Sequence, residues 1–263
     1  MIQFGMPTLI ELSGIEACAA LANELSLRFV ELNMNQPQFQ PPQIDAERYR
    51  ALSNQYGVYF TIHLDENFNP FDFNQRVADA YLQSMRETIG IARQIGAPLI
   101  NIHLPYGVYF KLPNEKRYLF DTYNDEYLQR VREFRQMCEQ EIGNTELTVC
   151  IENTDGFDLP FLRRTLGILL QSDVFALTYD TGHDHCARQA DLPFYLENQN
   201  KLRHMHLHDG LAQSNHLPLG TGEIDILRFI ALARAQNCRT VLEVKTVDGL
   251  KQSVTWLIKK GLL

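Results

Sequence analysis

The segment LRHMHLHD sets His204, His206 and His208 at alternate positions, with the apolar Met205 and Leu207 between them. In an extended chain alternate side chains share a face, so the three imidazoles point one way. Five other strand-like runs end in a group able to bind a metal or move a proton: His63, His103, Glu152, Asp180 and Glu243. Bringing the three carboxylates into one partly enclosed mouth costs on the order of several kcal/mol per ion unless something compensates. Either some of them are protonated or a cation sits among them. The surrounding imidazoles favour the cation, because neutral histidine and carboxylate together suit Zn, Mn, Co or Fe(II).

These groups meet only if the elements that carry them converge. Eight short runs read as strands: 2–6, 28–33, 58–63, 98–103, 147–152, 175–180, 203–208 and 240–244. Helical patterns follow nearly all of them. One is marked by Val77, Tyr81, Met85, Ile89, Ala92 and Ile95 at three- and four-residue steps, with Gly96 placed to end it. The last runs over 248–260 with an Asp near its start. An open sheet, with strands about 4.8 Å apart, would spread the six polar strand ends over more than about 20 Å. A closed barrel brings them around one mouth. The prediction is therefore a (β/α)8 TIM barrel, a single domain over residues 1–263. Alternation turns Thr61 and His63, Asn101 and His103, Cys150 and Glu152, Thr178 and Asp180, and Glu243 and Lys245 inward with the three histidines. Ile62, Ile102, Ile151 and Leu242 then face the helices.

Composition narrows the function. A net charge of −8 weighs against broad contact with a phosphate backbone. No apolar run reaches the roughly 18 residues that span a bilayer. The N-terminus lacks the basic region of a signal peptide and reads as a first strand. Cys18, Cys138, Cys150, Cys186 and Cys238 are odd in number, and none forms a CxxC pair, which predicts reduced thiols and a cytoplasmic location. The GTGEID segment lacks the GxGxxG spacing of a nucleotide loop.

Together, VCIENTDG, LTYDTGHDH, MHLHDG with NHLPLGTGEID, and VLEVK resemble the xylose-isomerase-like TIM-barrel superfamily over most of the chain. This superfamily includes sugar isomerases and epimerases as well as type IV AP endonucleases. The resemblance implies a one-metal centre at Glu152, Asp180, His206 and Glu243, holding one divalent ion (Mn, Co, Zn or Mg). His204 is expected one layer deeper and His208 one layer nearer the rim. The endonuclease branch uses further ligands, and His63, His103, His183 and His216 match them. Where that branch has an aspartate two residues before its last histidine, this chain has Ser214, so a complete three-metal cluster is not expected. A second ion at His63, His103 and Glu152 stays open beside the alternative that His183 and His216 bind substrate.

Two long loops flank the predicted mouth. One, after His103, carries Tyr106, Tyr109, Phe110, Tyr118, Phe120 and Tyr123; the other is DENFNPFDFN. They either shape the pocket or pack on each other and at a dimer contact. Lys111, Lys116, Arg117 and Lys245 are candidate anion contacts, Lys245 most of all because alternation sets it beside Glu243. The leading expectation is a metal-dependent isomerase or epimerase acting on a free or phosphorylated sugar through a metal-stabilised enediolate. Glu152 and Glu243 would take the catalytic proton transfers from opposite faces of the substrate. The alternatives are a metal-dependent phosphodiesterase of the AP-endonuclease kind and a barrel that binds sugar without turnover. A small carbohydrate is the expected partner. Nucleic acid and membrane are not expected, and homo-oligomerisation is left open.

Overall fold

Seven of the eight strand candidates carry β-branched or aromatic residues, and the eighth, 203–208, alternates histidine with Met205 and Leu207, which suits a pleated surface packed on both faces. In the computed structural model, which describes residues 2–154 and 156–263, they form β1 (Gln3–Pro7), β2 (Phe29–Asn33), β3 (Tyr59–His63), β4 (Leu99–His103), β5 (Thr148–Glu152), β6 (Phe175–Asp180), β7 (Leu202–Leu207) and β8 (Arg239–Leu242). Each pairs in parallel with the next, and β8 closes on β1 with Gln3 opposite Arg239. The fold is a closed (β/α)8 barrel, as the strand ends required.

The main apolar core lies between the barrel and its helices. Ile62, Ile102, Ile151 and Leu242 belong to it. Inside the barrel a separate cluster of Leu99, Cys150 and Ala176 forms an apolar floor. Above that floor, along the same inward rows, come Asn101, Glu152, Thr178 and Asp180. The floor continues on β2, where the Phe29 ring stacks on Tyr59 with centroids 5.2 Å apart. Gly5 on β1 makes this possible, because a Cβ there would sit 2.5 Å from the Phe29 ring.

Helix ends follow local chemistry. The helix Gln75–Ile95 starts where Asn74 accepts a hydrogen bond from the Arg76 N–H and stops at Gly96, which adopts φ 70°. Its buried face is set by Ala78, Met85, Ile89, Ala92 and Ile95, whereas Val77 is 39% exposed, so the apolar stripe begins one residue later than the periodicity suggested. The final helix spans Val247–Lys259, with Thr246 as its cap. The loop at 37–43 contains two short 3-10 turns. All five cysteines are free thiols, and among the described residues no helix is long and apolar enough to cross a membrane.

The last strand is shorter than predicted. It ends at Leu242, and the Val244 N–H turns back to donate to the Leu242 carbonyl. Alternation therefore does not carry through to Lys245, which is exposed at the rim rather than inside the barrel.

Candidate metal centre

Parallel register decides which strand ends meet. Asp180 lies opposite His206 across β6 and β7, and His103 lies opposite Glu152 across β4 and β5. Glu243 leaves the end of β8 with its N–H donated to the Leu207 carbonyl. As a result Glu152, Asp180, His206 and Glu243 each offer one ligand atom, and these atoms all lie within 4.8 Å of one another. His206 Nδ1 stands 3.1 Å from Glu152 Oε1, 3.1 Å from Glu243 Oε2 and 3.8 Å from Asp180 Oδ2.

The neighbours hold these side chains at fixed angles. Asn101 donates its side-chain N–H to Glu152 Oε2, and Thr178 donates to Asn101 Oδ1 at 2.5 Å. Asp180 Oδ1 accepts the His183 backbone N–H at 2.6 Å, while Asn153 pairs with both main-chain groups of Asp180. His208 Nδ1 accepts the His216 backbone N–H at 2.7 Å, which leaves the proton on Nε2 to be donated to Asp180 Oδ2 at 3.0 Å. His208 therefore orients Asp180 from behind. Its ring also stacks on His216 with centroids 4.2 Å apart.

Charge at the centre is strongly coupled. Burial by itself disfavours ionisation of Glu152, yet His206 and His103 outweigh it and hold the carboxyl well below the usual range. Glu243 is held low in the same way, by His206 above all. Burial pushes His183 down, but Asp180, Glu152 and Glu243 prevail and raise it to about 9. His63 rises to about 9 because Glu152 overcomes its burial. His216 goes the other way, down to about 4, because burial dominates.

Glu152 also faces outward. His63 Nε2 and His103 Nε2 lie 3.3 and 3.1 Å from its Oε2, and His183 Nδ1 lies 3.5 Å from its Oε1. Above the centre opens a cavity of about 520 Å³, lined in part by His63, His103, His183, His216, Glu243 and Lys245. Asn33, Glu66, Gln213 and Asn215 also line it, and none of these was picked out from the sequence. Glu66 and Gln213 lie on loops, where polar residues carry no periodic signal, whereas Asn33 ends β2 in phase with Phe29 and could have been read from the alternation.

A more informative omission is Glu31. It sits on β2 between Val30 and Leu32, only 2% exposed. Its Oε2 accepts hydrogen bonds from Thr61 Oγ1 at 3.1 Å and from His204 Nε2 at 2.8 Å. Its Oε1 lies 2.8 Å from His206 Nε2, off the axis of an ideal hydrogen bond. The signal was present: an acid inside an apolar strand and in phase with Phe29. His204 is thus one layer below His206, and both are fully buried.

Other candidates lie elsewhere. Lys111, Lys116 and Arg117 are on a small exposed hairpin, Tyr109–Lys111 with Lys116–Tyr118. There Lys116 lies over the Tyr109 ring and Arg117 pairs with Glu115. Among the described residues these three do not line the cavity, because the hairpin projects into solvent. Ser214 is likewise exposed, on a hairpin strand (Ser214–Leu217) whose neighbours Asn215 and His216 line the cavity. The long aromatic loops mostly pack on the barrel's own elements. Phe120 stacks on Tyr127 with centroids 4.2 Å apart, and Phe71 lies edge-on to Tyr127 and Phe134.

The donor set fits a divalent ion. Glu243 Oε2 and His103 Nε2 are buried without a hydrogen-bond partner among the described residues, although both face this centre. Orphaned acceptors and imidazole nitrogens converging on three acids are what a cation would satisfy.

The loop beyond the centre is tied down by a single acid. Asp209 Oδ1 accepts the N–H groups of Gly210 and Ile224, and its Oδ2 accepts those of Gly220 and Gly222. The GTGE turn is therefore a clamp. A Cβ on Gly222 would stand 2.2 Å from the Gly210 carbonyl oxygen and 2.4 Å from Asp209 Oδ1.

Comparison with known proteins finds the same fold in several solved structures. The chain is similar to a D-tagatose 3-epimerase-like protein (TM-score 0.75, 18% identity, all of both chains covered). It is also similar to 3-keto-D-glucoside 4-epimerase of E. coli (TM-score 0.76, 16% identity, 98% of this chain and 100% of that one). A third similar structure is a probable 3-DHS dehydratase of Bacillus anthracis (TM-score 0.75, 14% identity, 98% and 99% covered). In sequence it is 25% identical to an uncharacterized protein of Methanocaldococcus jannaschii over 206 residues, 76% of each chain. Residues 19–260 match the family model for the xylose isomerase-like TIM barrel, and the chain belongs to that family.

Proposed function

We propose that the protein is a divalent-metal-dependent sugar isomerase or epimerase that works by proton transfer at a carbon next to a carbonyl. The observation that carries this reading is the convergence of Glu152, Asp180, His206 and Glu243, all within 4.8 Å, at the floor of a polar cavity of about 520 Å³. These four residues would hold the ion, one of Mn, Co, Zn or Mg. When bound, it would polarise adjacent carbonyl and hydroxyl oxygens of the substrate. Glu152 and Glu243 both line the cavity, so each presents a carboxylate that could accept a proton from a substrate bound there. One would remove the carbon-bound proton and the other return it. Asn101 and His208 hold Glu152 and Asp180 in place, which keeps reorganisation small. His183, His216 and Lys245 would contact substrate oxygens at the rim. The likeness to the epimerase structures supports this reading through the fold.

A second reading, a metal-dependent phosphodiesterase, is favoured by one observation: the Nε2 atoms of His63 and His103 both stand by Glu152 Oε2, where a second ion could be shared. One experiment separates the two. Metal-loaded protein is incubated in D2O with a panel of ketoses, aldoses and their phosphates, and in parallel with abasic duplex DNA. Deuterium on the carbon next to the carbonyl supports the isomerase. Metal-dependent nicking without exchange across the panel overturns it in favour of the phosphodiesterase.

A further inference from the structure

Strand β7 carries one more buried histidine than the proposed metal centre uses. His204 lies one layer deeper than His206, fully buried, and the two rings meet edge-on with centroids 5.1 Å apart. Between them and strand β2 stands Glu31, which the proposed chemistry does not employ. Burying an isolated carboxylate is costly unless it is paired and hydrogen-bonded. Glu31 is both: Thr61 and His204 donate to Oε2, and His206 Nε2 lies against Oε1.

An imidazole can face a metal with one nitrogen only if the proton resides on the other. His206 turns Nδ1 toward Glu152, Glu243 and Asp180, and Nε2 toward Glu31. We infer that Glu31 is a positioning residue for the metal centre. It keeps a proton on His206 Nε2, so that Nδ1 is presented to the ion, and His204 holds Glu31 in that orientation. The inference rests on the proposed metal reading and adds the residue pair beneath it. It also accounts for the spacing of the first two histidines on β7: His206 faces the ion, and His204 supports the carboxylate that orients it.

The same three residues, Glu31, His204 and His206, lie close enough together to hold an ion of their own. The Glu31 carboxylate already accepts two hydrogen bonds on Oε2, however, and the group lies below the cavity among fully buried side chains. A supporting role uses the contacts as they stand.

The test is Mn2+ titration of the parent, Glu31→Gln and His204→Phe, with folding checked by circular dichroism and melting. Carboxylates that orient a metal-bound histidine typically contribute about 10- to 100-fold in affinity, and that loss is expected for Glu31→Gln with the stoichiometry kept at that of the parent. His204→Phe is expected to weaken binding by less. A second measurement needs no variant: 15N NMR of the Zn2+-loaded parent should show His206 protonated on Nε2. A folded Glu31→Gln protein that binds Mn2+ as tightly as the parent overturns the inference, as does a His206 proton on Nδ1 in the Zn2+ form. Loss of one whole equivalent of Mn2+ in both variants also overturns it, by showing that the group is a metal site. A parent that binds no Mn2+ or Zn2+ sinks the metal reading and this inference together, whereas an unaffected variant sinks only the latter.

Discussion

Two regions at the same end of the barrel bury carboxylates in opposite ways. Asp209 is one acid met by four backbone N–H groups, from Gly210, Gly220, Gly222 and Ile224. Oriented amide dipoles satisfy its charge completely, so nothing further is called for. At the proposed metal centre three acids crowd around His206, and Glu243 Oε2 is left without a hydrogen-bond partner among the described residues. That region is satisfied only in part by its own chain. A buried charge saturated by its backbone is structural, whereas unsaturated charges that converge beneath an open cavity can accept an ion or a proton.

The contrast can be broken by experiment, beginning with the largest effect. Replacing Glu243 by Gln removes one of the two proposed proton carriers while keeping its shape. Deuterium exchange into the substrate is expected to fall by about 10²- to 10⁴-fold, and a variant retaining more than a tenth of the parent rate would remove Glu243 from the chemistry. At Asp209, replacement by Ala leaves four backbone donors facing a void. Hydrogen bonds to a charged group contribute about 1.5–3 kcal/mol each, non-additively, so a stability loss of about 3 kcal/mol or more is expected in urea unfolding. An Asp209→Ala midpoint equal to the parent's would show that the clamp is not needed.

A third measurement sharpens the comparison by asking which region senses metal. Saturating ion at about 100 times its dissociation constant should stabilise the parent by about 2.7 kcal/mol. Asp180→Asn should lose most of that increment, while Gly222→Ala, which disturbs only the clamp, should keep it despite a lower baseline. Equal increments in Asp180→Asn and the parent would place the ion elsewhere. The smallest effect is expected on the exposed hairpin, where Lys111→Ala and Lys116→Ala together should change stability by no more than about 0.5 kcal/mol. They should also leave the exchange rate within twofold, and a larger change would return those lysines to the site.

Much of this was legible in the linear chain because both its periods and its polar exceptions are regular. Eight runs with alternating side chains, separated by helical stripes, define a (β/α)8 barrel, and the observed strands begin or end within about two residues of the predicted ones. The convergence of Glu152, Asp180, His206 and Glu243 followed from closure of the barrel, since strand ends that point inward have one place to meet. What alternation could not resolve was depth and termination. Lys245 shares the parity of Glu243, but β8 stops at Leu242, so parity ceases to specify direction. Lys111, Lys116 and Arg117 were near the mouth in sequence, and a hairpin turned them away.

Glu31 marks the boundary most clearly. The sequence by itself determined that an acid interrupts an apolar strand and therefore needs a partner. Only the tertiary structure decided that the partners are Thr61 on the neighbouring strand and His204 and His206 on β7, across the barrel. Local pattern sets which face a side chain takes, because that depends on backbone geometry within a few residues. Which strands stand opposite one another, and at what level, depends on closure and register of the whole sheet, and no stretch of sequence contains that information alone.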